Sequence, residues 1–195
     1  MFHDLDDTLA ALLKRDLKTV PVALGFATPD DQFPPASVTF PAIDLFLYDV
    51  RENAALRSNE WHETRSNGQA SRERAPVRVD CSYLITAWSG QSDPVAAIKD
   101  EHYLLGEVMR VLLRYQKLPA DVLQGELATQ EPPVRAKLIR DGYLQSLGEF
   151  WQAMGGRPKA ALNYTVTISV PVGEPEPLGP LVETHHIRMQ TKEKE

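Results

Sequence analysis

The chain is short of cysteine, of positive charge and of long apolar runs, and each shortage excludes a class of protein. Cys81 is the only cysteine among 195 residues, so no intrachain disulfide can form. The formal net charge is −6, whereas general nucleic-acid binders are usually basic. No segment reaches the length of about 20 apolar residues that spans a bilayer, and the acidic start lacks the basic region of a secretory signal. The composition predicts a cytoplasmic globular chain with no nucleic-acid partner and no membrane insertion.

Motifs that carry chemistry are also scarce. The run Gly155–Pro158 lacks the Gly-Lys-Ser/Thr ending of a phosphate loop, and the chain has no Gly-x-Ser-x-Gly nucleophile elbow. His185 and His186 are adjacent, so on a strand they would point to opposite faces and could not chelate one metal together. His102 stands without a second group to position it as a base. The sequence therefore predicts that the protein is not an enzyme and that it has neither a cofactor nor a metal site. The alternative is a small α+β enzyme or ligand-binding domain whose Arg-rich loop closes over an acidic ligand.

Helical periodicity predicts three helices. Asp4 is expected to cap the first, Asp4–Leu17, and Asp93-Pro94 to open the second, which extends to about Tyr115. Gly106 interrupts the second helix at a cost of about 1 kcal/mol relative to alanine, which favours close packing against another backbone. The third helix is Leu144–Met154. The expected core stripes are Leu5, Leu9, Leu12, Leu13 and Leu17 in the first helix, and Ile98, Leu105, Met109 and Leu112, flanked by Val108 and Leu113, in the second.

Apolar runs and alternation predict the strands. Ala42–Val50 is apolar on both sides, as in a central strand covered on both faces, and Pro76–Trp88 alternates from Val77 onward. Ala160–Val170 alternates along its whole length, while Val20–Phe26 and Val134–Arg140 are shorter. With the helices, these strands predict an α+β fold in which helices pack on an antiparallel or mixed β-sheet.

Two strings in the first two long strands carry a family resemblance. They are Leu45-Phe46-Leu47-Tyr48-Asp49-Val50-Arg51-Glu52-Asn53 and Tyr83-Leu84-Ile85-Thr86-Ala87-Trp88. Together they resemble the N-terminal domain of cap, or tail-terminator, proteins of extracellular, phage-tail-like contractile injection systems. The order and spacing of the strings make the match specific. The resemblance extends to about Val172, through His102–Gly106, Leu147–Trp151 and Tyr164–Val170.

The resemblance implies a structural protein rather than an enzyme. Cap proteins of this kind form a ring, typically a hexamer, at the end of the inner tube, where they terminate the tube and anchor the last sheath layer. The implied partners are other copies of this chain, the inner tube protein and the sheath protein. Assembly is expected in the cytoplasm, as part of a particle that can be released from the cell. A neck or adaptor ring of a related tail-like machine is the other structural alternative.

The segment Arg51–Arg78 is the main functional candidate. It holds six arginines against four glutamates, and is thus net positive within an acidic chain. Within it, Glu52–Ala75 is a long polar connection with little periodicity, and connections of this length tend to be functional or disordered. Arginine and tryptophan are the residues most enriched in interface hot spots. The candidate interface residues are Arg51, Arg57, Trp61, Arg65, Arg72 and Arg74. With the resemblance, we expect contact with a neighbouring ring to order this segment; the alternative is a solvated hairpin loop.

The prolines near the C-terminus predict a boundary. We expect a cap-like domain over residues 1–172, followed over residues 173–195 by a Pro-rich link, a last strand and a frayed tail. The link is Pro171–Pro180 and the strand is Leu181–Gln190. Because prolines resist an immediate return into a hairpin, this strand is expected to pair between subunits or rings. The alternative is an edge strand that completes its own sheet. The candidate contact residues here are Val182, His186 and Arg188.

Overall fold

The computed structural model describes residues 1–18, 21–29, 38–66, 69–131, 133–138, 147–155 and 158–180. These residues divide into two compact units, the larger formed by Met1–Leu56 and Arg78–Val170, and the smaller by Arg57–Val77 with the described residues from Pro171 onward. No helix in the described ranges is long and apolar enough to cross a membrane. The elements are α1 Phe2–Asp16, β1 Ala23–Gly25, β2 Ala42–Glu52, β3 Trp61–Ser66, β4 Gln69–Arg74, β5 Val77–Trp88, α2 Pro94–Leu113, β6 Arg135–Leu138, α3 Leu147–Ala153, β7 Ala161–Val170 and β8 Glu176–Pro180.

The larger unit is built on a five-stranded sheet with the order β1-β2-β5-β7-β6. β1 runs parallel to β2, whereas β2 with β5 and β6 with β7 are antiparallel pairs, so the sheet is mixed. The α+β fold predicted from the sequence is confirmed. β5 is the central strand of the five, and nine of its twelve residues are buried. This central position explains why its polar face is buried as well, which the alternating sequence does not suggest.

The main core lies between one face of this sheet and the helices α1 and α2. The α1 stripe is confirmed, since Leu5, Leu9, Leu12 and Leu13 are fully buried, and Leu17 packs against the same core. From β5 the core takes the side chains of one alternating face, Cys81, Tyr83, Ile85 and Ala87. Full burial of each large aliphatic side chain contributes about 1.5–3 kcal/mol, so this layer is the main source of stability.

The start of one helix was predicted correctly and that of the other was not. The carboxylate of Asp93 accepts a hydrogen bond from the Ala96 backbone N–H at 2.7 Å and caps α2, with Pro94 at the first helical position. Asp4 does not cap α1, which already begins at Phe2. Instead the Asp4 carboxylate pairs with the N-terminal amino group of Met1 at 3.0 Å.

The core stripe predicted for α2 was partly wrong. Leu105, Val108 and Leu112 are buried as expected, together with Leu104 and Val111. Ile98 and Leu113, however, are 53% and 54% exposed. The reason is that α2 carries large apolar residues on two sides, so helical periodicity alone could not decide which side faces the sheet.

Gly106 does not pack closely against another part of the described chain, contrary to the expectation. A Cβ added there would have nothing within 4 Å. Glycine in a helix interior costs about 1 kcal/mol relative to alanine, so Gly106→Ala should raise the free energy of unfolding of the isolated chain by about 0.5–1 kcal/mol. Chemical denaturation of both proteins measures this difference. An unchanged or lower value would mean that some contact of the folded chain requires glycine at this position.

The opposite face of the sheet is covered in part by α3. The rings of Phe46 in β2 and Phe150 in α3 lie 6.3 Å apart between centroids, and Trp151 is only 2% exposed. Apolar side chains therefore cover both faces of β2, as its sequence predicted. Nearby, the hydroxyls of Ser82 and Thr165 hydrogen-bond across β5 and β7 at 3.3 Å.

A buried carboxyl on this second face makes stability depend on pH. Asp44 is fully buried; its Oδ1 accepts a hydrogen bond from the Ala27 backbone N–H at 3.0 Å, and its Oδ2 has no hydrogen-bond partner. Burial raises the pKa of Asp44 to about 7. The folded chain therefore holds this proton at pH values where the unfolded chain has lost it, and the stability that this group contributes falls as the pH rises towards about 7.

Asp44→Asn should remove that loss of stability. Relative to the wild type, the variant should gain stability with rising pH, by up to roughly 4 kcal/mol once Asp44 is fully ionised in the wild-type protein. Denaturant unfolding at a series of pH values from acid to mildly alkaline measures the difference between the two proteins. A difference that stays constant across the series would show that Asp44 has an ordinary pKa in the folded chain.

The smaller unit contains a three-stranded sheet with the order β3-β4-β8. β8 corrects the prediction of an irregular link, because Glu176–Pro180 pair antiparallel with β4 in the same chain. Prolines are tolerated there because β8 lies at the edge of the sheet, where a missing N–H breaks no ladder on its outer side. The domain boundary after residue 172 stays a prediction. The predicted strand Leu181–Gln190 lies outside the described residues.

Two further elements are shorter than predicted in their described parts. The strand expected over Val134–Arg140 is β6, Arg135–Leu138, and the helix expected over Leu144–Met154 is α3, Leu147–Ala153. β1 is likewise only the centre of the strand expected over Val20–Phe26. β2 instead extends two residues beyond Val50, to Glu52. Boundaries of this kind depend on pairing partners, which a single segment of sequence does not reveal.

Candidate functional site

The Arg-rich segment forms a regular β-hairpin, contrary to the prediction of an irregular connection. β3 and β4 pair in register from Trp61 opposite Arg74 to Ser66 opposite Gln69. The sequence between them is Asn67-Gly68, a pair typical of two-residue hairpin loops. That pair was the signal that sequence reasoning missed. It was overlooked because the flanking strands alternate between polar residues rather than between polar and apolar ones.

Strand alternation collects most of the candidate interface side chains on one side of the hairpin, here called the arginine face. It consists of Trp61, Glu63 and Arg65 from β3 with Arg72 and Arg74 from β4. The guanidinium carbon of Arg72 lies 4.5 Å from the centroid of the Trp61 ring, and that of Arg74 lies 5.4 Å from it. Both distances suit cation–π contacts, which hold the arginines against the indole.

β8 contributes an acidic partner to the arginine face. Glu176 lies opposite Arg72, and its Oε2 accepts hydrogen bonds from Nη2 and Nε of Arg72 at 2.9 and 3.1 Å. Arg65 forms a looser ion pair with Glu63, at 3.7 Å. These groups are largely exposed, so the pairs add little stability, but they fix the directions of the side chains. Glu63 and Glu176 are partners of the candidate arginines that the sequence analysis did not single out.

The smaller unit buries very little apolar surface. Among its described side chains Ala75 is the only buried hydrophobic one, while Trp61 is 39% and Leu178 44% exposed. The reverse face of the hairpin carries His62, Thr64, Ser71 and Glu73. Small sheets ordinarily need an apolar face packed on something else to be stable. This sheet is therefore marginal by itself and gains stability from any surface on which the arginine face docks.

The structure brings together four of the six arginine and tryptophan candidates, Trp61, Arg65, Arg72 and Arg74. Arg51 belongs to the larger unit, where it lies on β2 opposite Asp80 and its Nε pairs with Asp49 at 2.7 Å. Arg57 is exposed and lies before β3, on neither strand of the hairpin. The other candidates, Val182, His186 and Arg188, lie outside the described residues.

The geometry of the described residues offers no obvious centre for bond chemistry. No three His, Cys, Asp or Glu side chains of the described ranges come together as a metal site. Cys81 is fully buried, and burial is the main reason that its pKa is raised to about 12, so the thiol stays protonated at neutral pH. The confirmed packing role of Cys81 makes it an unsuitable nucleophile. What the arginine face can do is bind a complementary, acidic surface.

Comparisons with known proteins agree on one family. Residues 4–184 match the model of the Pvc16 N-terminal domain. The chain is similar to the solved PVC sheath/tube terminator of an extracellular contractile injection system in its extended state, with 25% identity and a TM-score of 0.68 over 98% of this chain and 64% of that one. It is similar also to the tube-terminating cap of the anti-feeding prophage, with 25% identity and a TM-score of 0.66 over 95% of this chain and 60% of the cap. No curated protein sequence matches. The chain thus spans less than two thirds of the length of either solved protein.

Proposed function

The chain belongs to the Pvc16 N-terminal domain family, and on that premise we propose that it is the structural cap of a contractile injection system. In this role it ends the inner tube and anchors the last layer of the sheath. The observation that carries the proposal is the agreement of almost the whole chain, 98% of its residues, with a solved sheath/tube terminator. An identity of 25% over that length adds sequence support to the likeness of fold.

The cap acts as a closed ring of copies of this chain, typically six. A ring has head-to-tail interfaces, so each subunit presents two unlike surfaces, and closure limits the number of copies. One side of the ring binds the end of the tube as a further tube ring would. The other side offers no surface to which another ring could add. The work of such a protein is done by interface energy and geometry, without catalysis and without a cofactor.

The arginine face is the proposed docking surface towards the neighbouring ring. It presents three arginines and a partly exposed tryptophan on a sheet that has almost no core of its own. Ordering a segment costs about 1–2 kcal/mol per residue in backbone entropy, which a partner must offset. Arginine and tryptophan are the side chains that most often supply that energy at interfaces. Contact between these side chains and an acidic surface of the tube or sheath protein would offset this entropy cost.

The C-terminal candidates keep their proposed role. Val182, His186 and Arg188 are proposed to contact a neighbouring subunit or ring through a paired strand. The preceding residues Glu176–Pro180 pair with β4 as the edge strand of its sheet, so the chain lies at a sheet edge just before these candidates. We further propose that the particle assembles in the cytoplasm and can then be released; the likeness to a part of an extracellular contractile injection system supports the release.

A ring in solution or on the tube is the expected state of the purified protein. Mass photometry should detect a closed oligomer, expected to be a hexamer, either alone or after addition of assembled inner tube. Added to growing tubes, the protein should stop their elongation. A chain that stays monomeric under both conditions and leaves tube growth unchanged would contradict the proposal. A ring that binds only at a junction with another structure would instead indicate a neck or adaptor.

A further inference from the structure

Helix α2 has a second apolar side, which takes no part in the proposed docking of the arginine face. Among the described residues, the four most exposed large hydrophobic side chains all belong to this helix: Val95 at 61%, Tyr103 and Leu113 at 54%, and Ile98 at 53%. A helix of a single soluble domain usually turns one apolar stripe to its core and a polar side to water. α2 instead is apolar on the core side and on the side away from it.

Three of these side chains, Val95, Ile98 and Leu113, lie along one side of the helix, here called the outer face of α2. Residues three, four or seven positions apart lie on the same side of an α-helix. Starting from Val95, such spacings lead in turn to Ile98, His102, Gly106 and Leu113. Gly106 lies near the middle of the outer face, with open space where a Cβ would stand. A glycine at that point lets a second backbone approach closely, and the described chain itself makes no such approach.

A cavity of about 200 Å³ adjoins the N-terminal half of the outer face. Ile98 and His102 of α2 contribute to its lining together with Pro158 and Lys159. The wall is held in place, because Lys159 Nζ pairs with a carboxylate oxygen of Glu101 at 2.7 Å and lies 3.7 Å from the centroid of the Trp88 ring. A protruding apolar side chain of a docked surface could enter this cavity without rearranging its wall.

The charges of α2 indicate which surface docks there. Lys99 lies beside the apolar side chains, whereas the spacing of Asp100, Glu101 and Glu107 from Val95 places these three carboxylates on other sides of the helix, where they contact other residues of the chain. These contacts join Asp100 to Ser89, Glu101 to Lys159 and Glu107 to Arg110. The outer face therefore favours an acidic counterpart. The chain itself is acidic, with 27 Asp and Glu against 21 Lys and Arg, so a second copy brings net negative charge towards Lys99.

We propose that the outer face of α2 is the surface through which neighbouring copies of this chain join in the ring. The inference rests on the proposed cap function, because it assigns one of the two unlike surfaces that a head-to-tail ring requires. Val95, Ile98 and Leu113 form the apolar centre of the contact, Gly106 is the point of closest approach, and Lys99 provides charge at the rim. A surface of this composition is typical of protein–protein contacts rather than of an exposed helix.

A bulky charged residue at Gly106 tests the proposal without disturbing the fold. Gly106→Glu places a good helix former in open space of the isolated chain, but it blocks close approach and brings a negative charge to an acidic partner. Gly173→Glu is the matched control, because Gly173 also has open space around it and lies outside α2. Mass photometry across a dilution series should show that Gly106→Glu raises the concentration for half-assembly at least about tenfold, whereas Gly173→Glu does not.

Lys99→Glu provides a second variant, which should weaken assembly in the same direction and more strongly at low salt. Circular dichroism should show the secondary structure of the wild type in all variants. The proposal is overturned if Gly106→Glu forms rings as readily as the wild type. It is also overturned if its rings form normally but no longer attach to tube or sheath, because the outer face would then bind another protein. A wild-type chain that never forms a ring, even on the tube, would overturn the cap function itself, which is a different result.

Discussion

Particles assembled without this protein are expected to have tubes and sheaths of irregular length, or not to persist. A terminator removes the growing end of a polymer, so its absence leaves elongation limited only by the supply of subunits. It also leaves the last sheath layer without its anchor. Electron microscopy of particles from a deletion strain measures the distribution of tube lengths. The distribution should broaden severalfold, or intact particles should disappear.

Complementation supplies the control for that experiment. Restoring the wild-type chain should restore a narrow length distribution. The variant Gly173→Glu, which changes an open site outside the helices, should restore it as well. If particles of the deletion strain have normal length and stability, the protein does not terminate the tube, whatever its resemblance to solved terminators.

Reversal of two charges on the arginine face should abolish docking while leaving the domain folded. Arg65→Glu with Arg74→Glu changes the exposed cations of the face but spares Arg72, whose guanidinium is paired with Glu176. Each hot-spot arginine is worth about 2 kcal/mol or more at an interface. The double variant should therefore bind tube ends at least about a hundredfold more weakly. Binding of labelled subunits to preformed tubes or sheaths measures this loss.

The reverse face of the same hairpin provides the comparison for this variant. Thr64→Glu adds a negative charge opposite the neutral Ser71, on the side away from Trp61, and should bind like the wild type. The melting temperature of all three proteins should agree. If Thr64→Glu weakens binding as much as the double variant does, or if the double variant binds normally, the arginine face is not the docking surface.

Mobility of the hairpin gives an independent check on the same surface. Because its sheet buries almost no apolar side chain, residues 57–77 should exchange backbone hydrogens rapidly in the free subunit and slowly in the assembly. The core strand β5 should be protected in both states. Strong protection of the hairpin in the monomer would mean that the sheet is stable without a partner.

The parts of the fold that the sequence predicted well are those with a single clear periodicity. The leucines of α1 follow one helical stripe, and β7 alternates along its length, so each had one way to face the core. Asp93-Pro94 marked the start of α2 through a local capping bond. These signals depend on neighbours in the chain, and the structure confirms them.

The remaining features depend on contacts between distant segments. α2 has two apolar sides, and only packing against the sheet decides that Ile98 faces outward. β8 contains prolines and looks like a link, yet it gains a partner in β4, which lies about a hundred residues earlier in the sequence. The arginine face exists because hairpin register places Trp61 beside Arg72 and Arg74. Composition identified this segment as a candidate interface, but the contacts between its side chains could be seen only in the fold.

Electron microscopy of intact particles that contain a labelled copy of this chain tests the cap function most directly. The account predicts a closed ring of density at the end of the inner tube distal to the baseplate, in contact with the last sheath layer, with the label on that ring. Label at the baseplate, along the sheath, or absent from the particle would contradict it.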